Sequence, residues 1–175
     1  TGTLKVNNST LSSRNIVLLD NGSINVASAQ TYRNSAVVSG AFDLTKQGDG
    51  TLTLAGVNAY TGATNVTSGT LALADVGSIA QSSQVVLSSG SSALDISGTT
   101  TGATVNNLSG VAGAQVALGS QTLAVNSTVD TTYAGAISGS GGLSKNGNST
   151  LTLKGLAAYT GATNVTSGTL ALADV

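Results

Sequence analysis

The chain has 175 residues, 40% hydrophobic and 7% charged, with a formal net charge of −1 and a mean hydropathy of +0.25. This composition is too apolar for a disordered tail, and six scattered basic residues form no stripe for a nucleic-acid backbone. The absence of His and Cys excludes Ser-His-Asp and Cys-His catalysis and any His/Cys metal cluster. We therefore expect no nucleic-acid partner, no metal and no other cofactor.

The residue types indicate an all-β protein. Thr, Ser and Asn together make up more than a third of the chain and Gly is also abundant, whereas Pro, Trp and Met are absent and Phe occurs once. Thr and Val favour strands, while Gly and Asn provide the backbone conformations that turns need. An interior of Leu, Val, Ile and Ala is narrow, which fits a thin coil that grows by stacking.

Predicted strands follow one another along the chain as short runs in which aliphatic and small polar residues alternate. These runs lie at residues 23–26, 51–54, 70–73, 122–125 and 150–153. Gly-rich or Asn-rich breaks between the runs predict turns. The stretch 77–130 is less regular, and part of it is expected to form surface excursions; its candidate strands lie at 84–87, 94–96, 115–118 and 121–125.

A long internal repeat dominates the sequence. The segment AYTGATNVTSGTLALADV occurs at 59–76 and again at 158–175. The related tetrapeptides TGTL and SGTL end at Leu4, Leu71 and Leu170, so the first interval between them is much shorter than the second. Unequal spacing favours a solenoid, which can gain or lose turns and keep its cross-section, over a closed module with a set number of strands.

Within each repeat, Leu residues recur at a fixed interval, because Leu52 and Leu71 are separated by the same length of chain as Leu151 and Leu170. Such a span is too long for one strand and fits three short strands with three bends, which is one coil of a β-helix. Coils of about twenty residues stacked at about 4.8 Å predict eight or nine coils and a length of about 40 Å. The Leu residues expected to form inward ladders are Leu52, Leu54, Leu71, Leu73, Leu151, Leu153, Leu170 and Leu172.

Residues 142–175, GLSKNGNSTLTLKGLAAYTGATNVTSGTLALADV, resemble the autotransporter passenger-associated repeat of Gram-negative type V secreted proteins. The first copy matches the same pattern from Leu44 through Lys46 and Gly48 to Leu71, whereas the second copy departs from it at Ser149 and Ala157. The resemblance implies a right-handed parallel β-helix with Leu, Val and Ile ladders inside, located at the cell surface or outside a Gram-negative bacterium.

The expected organisation is a single β-helix segment over 1–175, with repeat landmarks at 1–4, 41–76 and 140–175. We expect it to be a fragment of a longer passenger, whose export signal and outer-membrane barrel lie elsewhere. No run of about eighteen apolar residues exists, so we expect no membrane insertion by this segment.

Few residues are candidates for chemistry or recognition. Tyr60 and Tyr159 stand at the same repeat position and are expected either to cap a corner of a coil or to contact a carbohydrate or protein. Lys46 and Lys145, also paired by the repeat, are expected to be outward turn residues. Asp43 and Asp49 lie in one turn region and are interpreted as solvated carboxylates; calcium is not expected, because the G-G-x-G-x-D-x pattern does not recur.

These patterns predict a non-enzymatic, rod-forming passenger segment that acts in adhesion or self-association and as a spacer. The partner is expected to be another copy, bound end to end or side by side, or a host or neighbouring cell surface. One alternative is a polysaccharide-acting β-helix enzyme that uses carboxylates. Another is a purely structural repeat that forms filaments without a ligand.

Overall fold

The computed structural model describes residues 1–173, which contain 24 strands and no helix. All strand pairs are parallel, and each strand pairs with strands about one coil away in sequence. The chain therefore winds as a β-solenoid of about nine coils. The predicted fold class, an all-β parallel β-helix, is confirmed.

Most coils contribute one strand to each of three faces. The first face is a nine-stranded sheet of β1 Gly2–Val6, β4 Gly22–Val26, β7 Leu44–Gln47, β10 Thr64–Val66, β12 Val85–Leu87, β15 Leu108–Gly110, β18 Thr131–Tyr133, β21 Thr150–Leu153 and β24 Thr169–Leu172. The second face is an eight-stranded sheet of β2 Thr10–Ser12, β5 Thr31–Asn34, β8 Thr51–Leu54, β11 Gly69–Asp75, β13 Ser92–Thr99, β16 Gln115–Gly119, β19 Ala136–Gly139 and β22 Ala157–Tyr159.

The third face is divided into two smaller sheets. One contains β3 Ile16–Leu18, β6 Val38–Gly40 and β9 Ala59–Tyr60. The other contains β14 Ala103–Asn106, β17 Leu123–Asn126, β20 Leu143–Asn146 and β23 Thr163–Val165. The fourth coil has strands β10 and β11 but no strand on this face, which interrupts the ladder between β9 and β14.

The coils are not equal in length. Leu44 pairs with Thr64, Thr64 with Val85 and Val85 with Leu108, so each of these successive coils is longer than the one before it. Because these lengths vary, the interval between the two copies of the repeat does not bring the chain back to the same face. The TLTL run of the first copy is β8 on the second face, whereas that of the second copy is β21 on the first face.

Inward side chains stack in columns along the axis. One column of the first face contains Ile24, Lys46, Val66, Leu87, Gly110, Tyr133 and Leu153. Its members compensate for one another in size: a Cβ added at Gly110 would lie 2.6 Å from Cε2 of Tyr133, so the ring fills the space that the glycine leaves. The ring of Tyr133 therefore fits in this column because Gly110, one coil below it, has no side chain.

The structure places most of the expected Leu ladder in the interior. Six of the eight residues are at most 3% exposed, namely Leu52, Leu54, Leu71, Leu73, Leu151 and Leu153. Leu170 is half-buried, and Leu172 is 73% exposed. For Leu172 the expected inward environment is absent, because no strand among residues 1–173 pairs with the outer edge of β24.

The irregular stretch 77–130 contains more structure than the sequence indicates. All four candidate strands overlap observed strands, β12, β13, β16 and β17. Strands β14 and β15, which are short and lie on either side of Asn107, were not predicted from the sequence. Segment 76–84 is the longest departure from regular strands in this region.

Candidate functional site

The repeat's lysines lie inside the solenoid, so the expectation that they point outward is wrong. Lys46 and Lys145 are 1% and 0% exposed. Lys46 occupies a column of the first face between Ile24 and Val66, and Lys145 a column of the third face between Val125 and Val165. The alternation L-x-K puts each lysine on the same side of its strand as the preceding inward leucine, so the burial of both lysines was readable from the sequence.

Each buried ammonium is held by three backbone carbonyls. Nζ of Lys46 donates to the carbonyl oxygens of Gln47, Gly48 and Ser68, at 3.0, 2.6 and 3.1 Å. Because Ser68 belongs to the next coil, the ammonium joins two successive turns and uses all three of its N–H donors. We call this arrangement the lysine clamp.

The second copy repeats the clamp. Nζ of Lys145 donates to the carbonyl oxygens of Asn146, Gly147 and Ser167, at 2.8, 2.9 and 3.3 Å. Gly147 has φ of +78°, as Gly48 has φ of +74°, and glycine reaches this left-handed conformation without strain. The K-x-G spacing of the repeat therefore places a glycine where its left-handed backbone can direct its own carbonyl toward the lysine ammonium.

Burial changes the acidity of both lysines. Desolvation lowers the pKa of Lys46 to about 8, although the nearby negative charge of Asp49 acts in the opposite direction. Desolvation also lowers the pKa of Lys145, opposed by Asp130. The charged clamp thus has a desolvation cost, which the nearby Asp49 and Asp130 reduce but do not cancel.

The tyrosine of the repeat belongs to a second internal contact. Tyr60 is 1% exposed, and its hydroxyl hydrogen-bonds Oγ1 of Thr64 at 2.6 Å. Thr64 donates to Oγ of Ser82 at 2.8 Å, and the single O–H of Ser82 lies within hydrogen-bond distance of the carbonyl oxygens of both Gly62 and Gln84. Burial raises the pKa of Tyr60 above its usual range, although its hydrogen bond with Thr64 acts in the opposite direction.

This burial decides between the two expectations for the tyrosines at the first copy. Tyr60 cannot contact a carbohydrate or a protein at the surface, so that possibility is wrong for this residue. Tyr159 is half-buried against the core, and its hydroxyl repeats the hydrogen bond at 2.7 Å to Oγ1 of Thr163. The Y-x-G-x-T spacing of the repeat is explained by this pair.

A buried asparagine, which the sequence analysis did not single out, links three coils. Asn58 is 2% exposed; its Oδ1 accepts from the amide of Val38 at 2.9 Å. Its Nδ2 donates to the carbonyl oxygens of Gly56 and Ser78, at 2.9 and 3.0 Å. Ala157 stands at the equivalent position of the second copy, so this link occurs only in the first.

Most carboxylates bond the backbone or another charge. Oδ1 of Asp43 accepts from the amide of Ala63 at 2.7 Å, and Oδ1 of Asp130 accepts from that of Thr150 at 2.7 Å. Asp75 pairs with Arg33 at 2.5 Å. Within residues 1–173, no group of three His, Cys, Asp or Glu side chains could hold a metal ion.

Parts of the outward surface carry mostly small polar side chains in register. On the first face one outward column contains Thr3, Ser23, Thr45, Asn65, Val86, Ser109, Thr132, Thr152 and Ala171. At a corner of the third face, Asn106, Asn126 and Asn146 stack in register. The part of the chain that the structure describes has no helix long and apolar enough to cross a membrane.

Comparison with known proteins agrees with this architecture. The family model described as passenger-associated-transport-repeat matches residues 44–73 and 143–172, which include both lysine clamps and both Tyr–Thr pairs. The chain is 38% identical over 180 residues, 95% of its length, to a protein of Brucella suis biovar 1 (strain 1330) named adhesin BmaC autotransporter. The chain spans 5% of that relative's length. No solved structure matches the chain significantly.

These matches confirm the resemblance to the autotransporter repeat. Passengers of this type in Gram-negative bacteria lie at the cell surface or outside the cell, and the chain has the same location. Residues 44–73 and 143–172 are therefore two copies of the passenger-associated transport repeat of autotransporters.

Proposed function

We propose that the chain forms a stiff rod within a surface passenger, where it acts in adhesion or self-association and holds other regions away from the cell. The observation that carries this proposal is the unbroken stacking of the nine-stranded and eight-stranded sheets. About nine coils at about 4.8 Å give a rod of about 40 Å. Shared hydrogen-bonded sheets along the whole length support stiffness.

The outward ladders support a role in contact. A column of hydroxyl and amide groups at a regular spacing can hydrogen-bond to an equivalent column, and many weak contacts add through multivalency. With a net charge of −1 the chain repels a second copy only weakly. The repeat presents the same outward sequence on two different faces, so two partners approaching from different sides would meet similar surfaces.

We infer further that this region does not catalyse a reaction. Asp43 bonds a backbone amide of the next coil, and the repeat's lysines are enclosed by carbonyls. The relative is named an adhesin. These observations favour a contact surface over the polysaccharide-acting alternative.

Beads coated with the purified chain would test the proposal. We expect coated beads to clump or to adhere to cultured epithelial cells, whereas beads coated with serum albumin should do neither. Three double variants place carboxylates on one outward face each: Thr45→Glu with Thr152→Glu, Ala117→Glu with Ser138→Glu, and Ala124→Glu with Ser144→Glu. The variant of the contact face should lose adherence, and the other two should keep it. Equal adherence of all three would contradict contact through the faces.

The enzymatic alternative needs its own measurement. We expect no release of reducing ends when the chain is incubated with a panel of neutral and acidic polysaccharides. Release by the wild-type chain that disappears in Asp43→Asn would overturn the non-enzymatic assignment.

A further inference from the structure

Two hydroxyl groups inside the solenoid lack a hydrogen-bond partner. They are Oγ of Ser127 and Oγ1 of Thr131; both atoms are buried, and neither bonds the other or any other group among residues 1–173. A buried polar group without a partner costs free energy, because folding removes it from water and returns no bond. In native proteins an enclosed water molecule commonly satisfies such groups.

Both hydroxyls face the same interior corner, at the bend between the third face and the first. Ser127 directly follows β17 and lies two residues after the inward Val125. Thr131 begins β18 and lies two residues before the inward Tyr133. Because side chains alternate along a strand, both hydroxyls point into the interior. Ser127 is 0% exposed, so bulk solvent does not supply the missing bond.

Hydrogen bonds from both neighbouring coils hold this bend in place. Oδ1 of Asn107, one coil below, accepts from the amides of Thr128 and Val129 at 2.8 and 3.3 Å. The amide of Thr150, one coil above, donates to Oδ1 of Asp130 at 2.7 Å. A shift of the backbone that brought the two hydroxyls together would break these bonds.

The corner lies against the second lysine clamp, but the clamp has no donor to spare. The carbonyl oxygen of Asn146 accepts both from the amide of Ser127 at 2.9 Å and from Nζ of Lys145 at 2.8 Å. Three backbone carbonyls use all three N–H donors of the ammonium. The two hydroxyls therefore need a partner other than Lys145.

The first copy of the repeat fills the same corner differently. In the coil below its clamp, Val26 and Tyr32 stand where the second copy has Ser127 and Thr131. The bend of the second copy is two residues shorter, but both of its inward side chains are smaller. An isopropyl group and an aromatic ring are thus replaced by two short hydroxyl side chains. Smaller and more polar walls are what an enclosed water molecule requires.

We propose that one water molecule is enclosed in this corner and bridges Oγ of Ser127 and Oγ1 of Thr131. The water links the third face to the first across the bend, as the lysine clamp links one coil to the next. The corresponding corner of the first copy, with Val26 and Tyr32, holds no such water. The site is independent of whether the rod is adhesive or only a spacer.

Magnetic relaxation dispersion of ¹⁷O water tests the site, because it counts the waters that a protein holds for longer than its own tumbling time. Thr131→Val replaces the hydroxyl by a methyl group of nearly the same size, and we expect it to lose one such water per chain. Ser127→Ala should lose the same water, since a single hydroxyl partner does not hold it. The control is Thr132→Val, the same change at the exposed neighbour, which should leave the count unchanged.

Urea unfolding of the same variants tests whether the two hydroxyls share the water. If one water bonds both, the shifts of the urea midpoint in Ser127→Ala and Thr131→Val should not add in the double variant, because either change alone already disconnects the bridge. Additive shifts would overturn the proposal. Equal counts of long-lived water in the wild-type chain and in Thr131→Val would overturn it as well.

Discussion

At the scale of single residues, the polar residues of the repeat motif mainly form hydrogen bonds inside the solenoid. Lys46 and Tyr60 are both buried, and each reaches polar groups at a corner of the coil. In a chain built from small aliphatic residues, few interactions besides the strand hydrogen bonds hold one coil against the next. Long side chains with a terminal hydrogen-bond donor, such as Lys46, add such interactions at the corners of the coil.

The lysine clamp predicts a specific loss of stability. Lys46→Met keeps an unbranched chain in the column between Ile24 and Val66 but leaves three carbonyls without their donor. We expect the free energy of unfolding to fall by about 1–3 kcal/mol, the range for buried groups that lose a charged hydrogen bond. Urea unfolding measures this. The exposed Lys154→Met is the control and should change stability by less than about 0.5 kcal/mol.

The same lysine predicts how stability depends on pH. Because the pKa of Lys46 is about 8 in the folded chain and 10.5 in the reference state, the unfolded chain binds more protons between these values. Stability should therefore rise between about pH 8 and 10, by on the order of 1 kcal/mol. Burial raises the pKa values of Tyr60 and Tyr133 in the folded chain, so at high pH the unfolded chain loses these protons first. Stability should therefore begin to fall as the pH passes about 10, where unfolded tyrosine ionises.

Urea unfolding at several pH values checks this expectation. Lys145 has a lowered pKa as well and should add to the rise. In Lys46→Met the rise should be smaller. A wild-type profile that is flat or that falls over this range would contradict the prediction.

At the scale of strands, stability depends on which residues share a column. Leu52 lies between Tyr32 and Leu71 and is fully buried. Leu52→Asp would place an unpaired carboxylate there, and we expect it to cost several kcal/mol or to prevent folding. The neighbouring Thr51→Asp, whose side chain points the other way, should cost less than about 1 kcal/mol. Thermal unfolding of the two variants would separate them, and similar losses would refute the inward register.

The glycine and tyrosine column predicts a coupled pair. Gly110→Ala should destabilise the chain by about 1–3 kcal/mol, because the new methyl group meets the ring of Tyr133. Tyr133→Leu removes the ring, so the alanine should cost markedly less in the double variant. Unfolding measurements on the four chains form a double-mutant cycle. Additive effects would mean that the ring and the glycine do not depend on each other.

At the scale of the whole molecule, the solenoid should tolerate the loss of one full coil better than the loss of half a coil. Leu123 pairs with Leu143, so deleting residues 123–142 joins Thr122 to a strand of the same face. We expect this variant to keep a β-rich circular dichroism spectrum and a cooperative unfolding transition. Deleting residues 123–132 shifts every later strand to another face and should abolish cooperative unfolding. Equal behaviour of the two deletions would argue against a stacked architecture.

Much of this protein follows from its sequence. The alternation at Leu52 and Leu54 and the recurrence of Leu71 predict strands, coils and inward ladders, because strand periodicity and repetition are local properties. The position of Lys46 two residues after the inward Leu44 was equally readable, but a lysine is usually assigned to the surface. The burial of Tyr60 was one of two open interpretations.

The sequence by itself determined the fold class, the approximate coil and the type of repeat, since each depends on short patterns that recur. The tertiary structure decided which face each copy of the repeat occupies, because that depends on the summed lengths of coils that are not equal. It also decided that the fourth coil lacks a strand on the third face and that Gly110 lies beneath Tyr133. Such features depend on contacts between residues that are one coil apart in sequence. Local sequence patterns do not specify which residues those are, because the coil length varies.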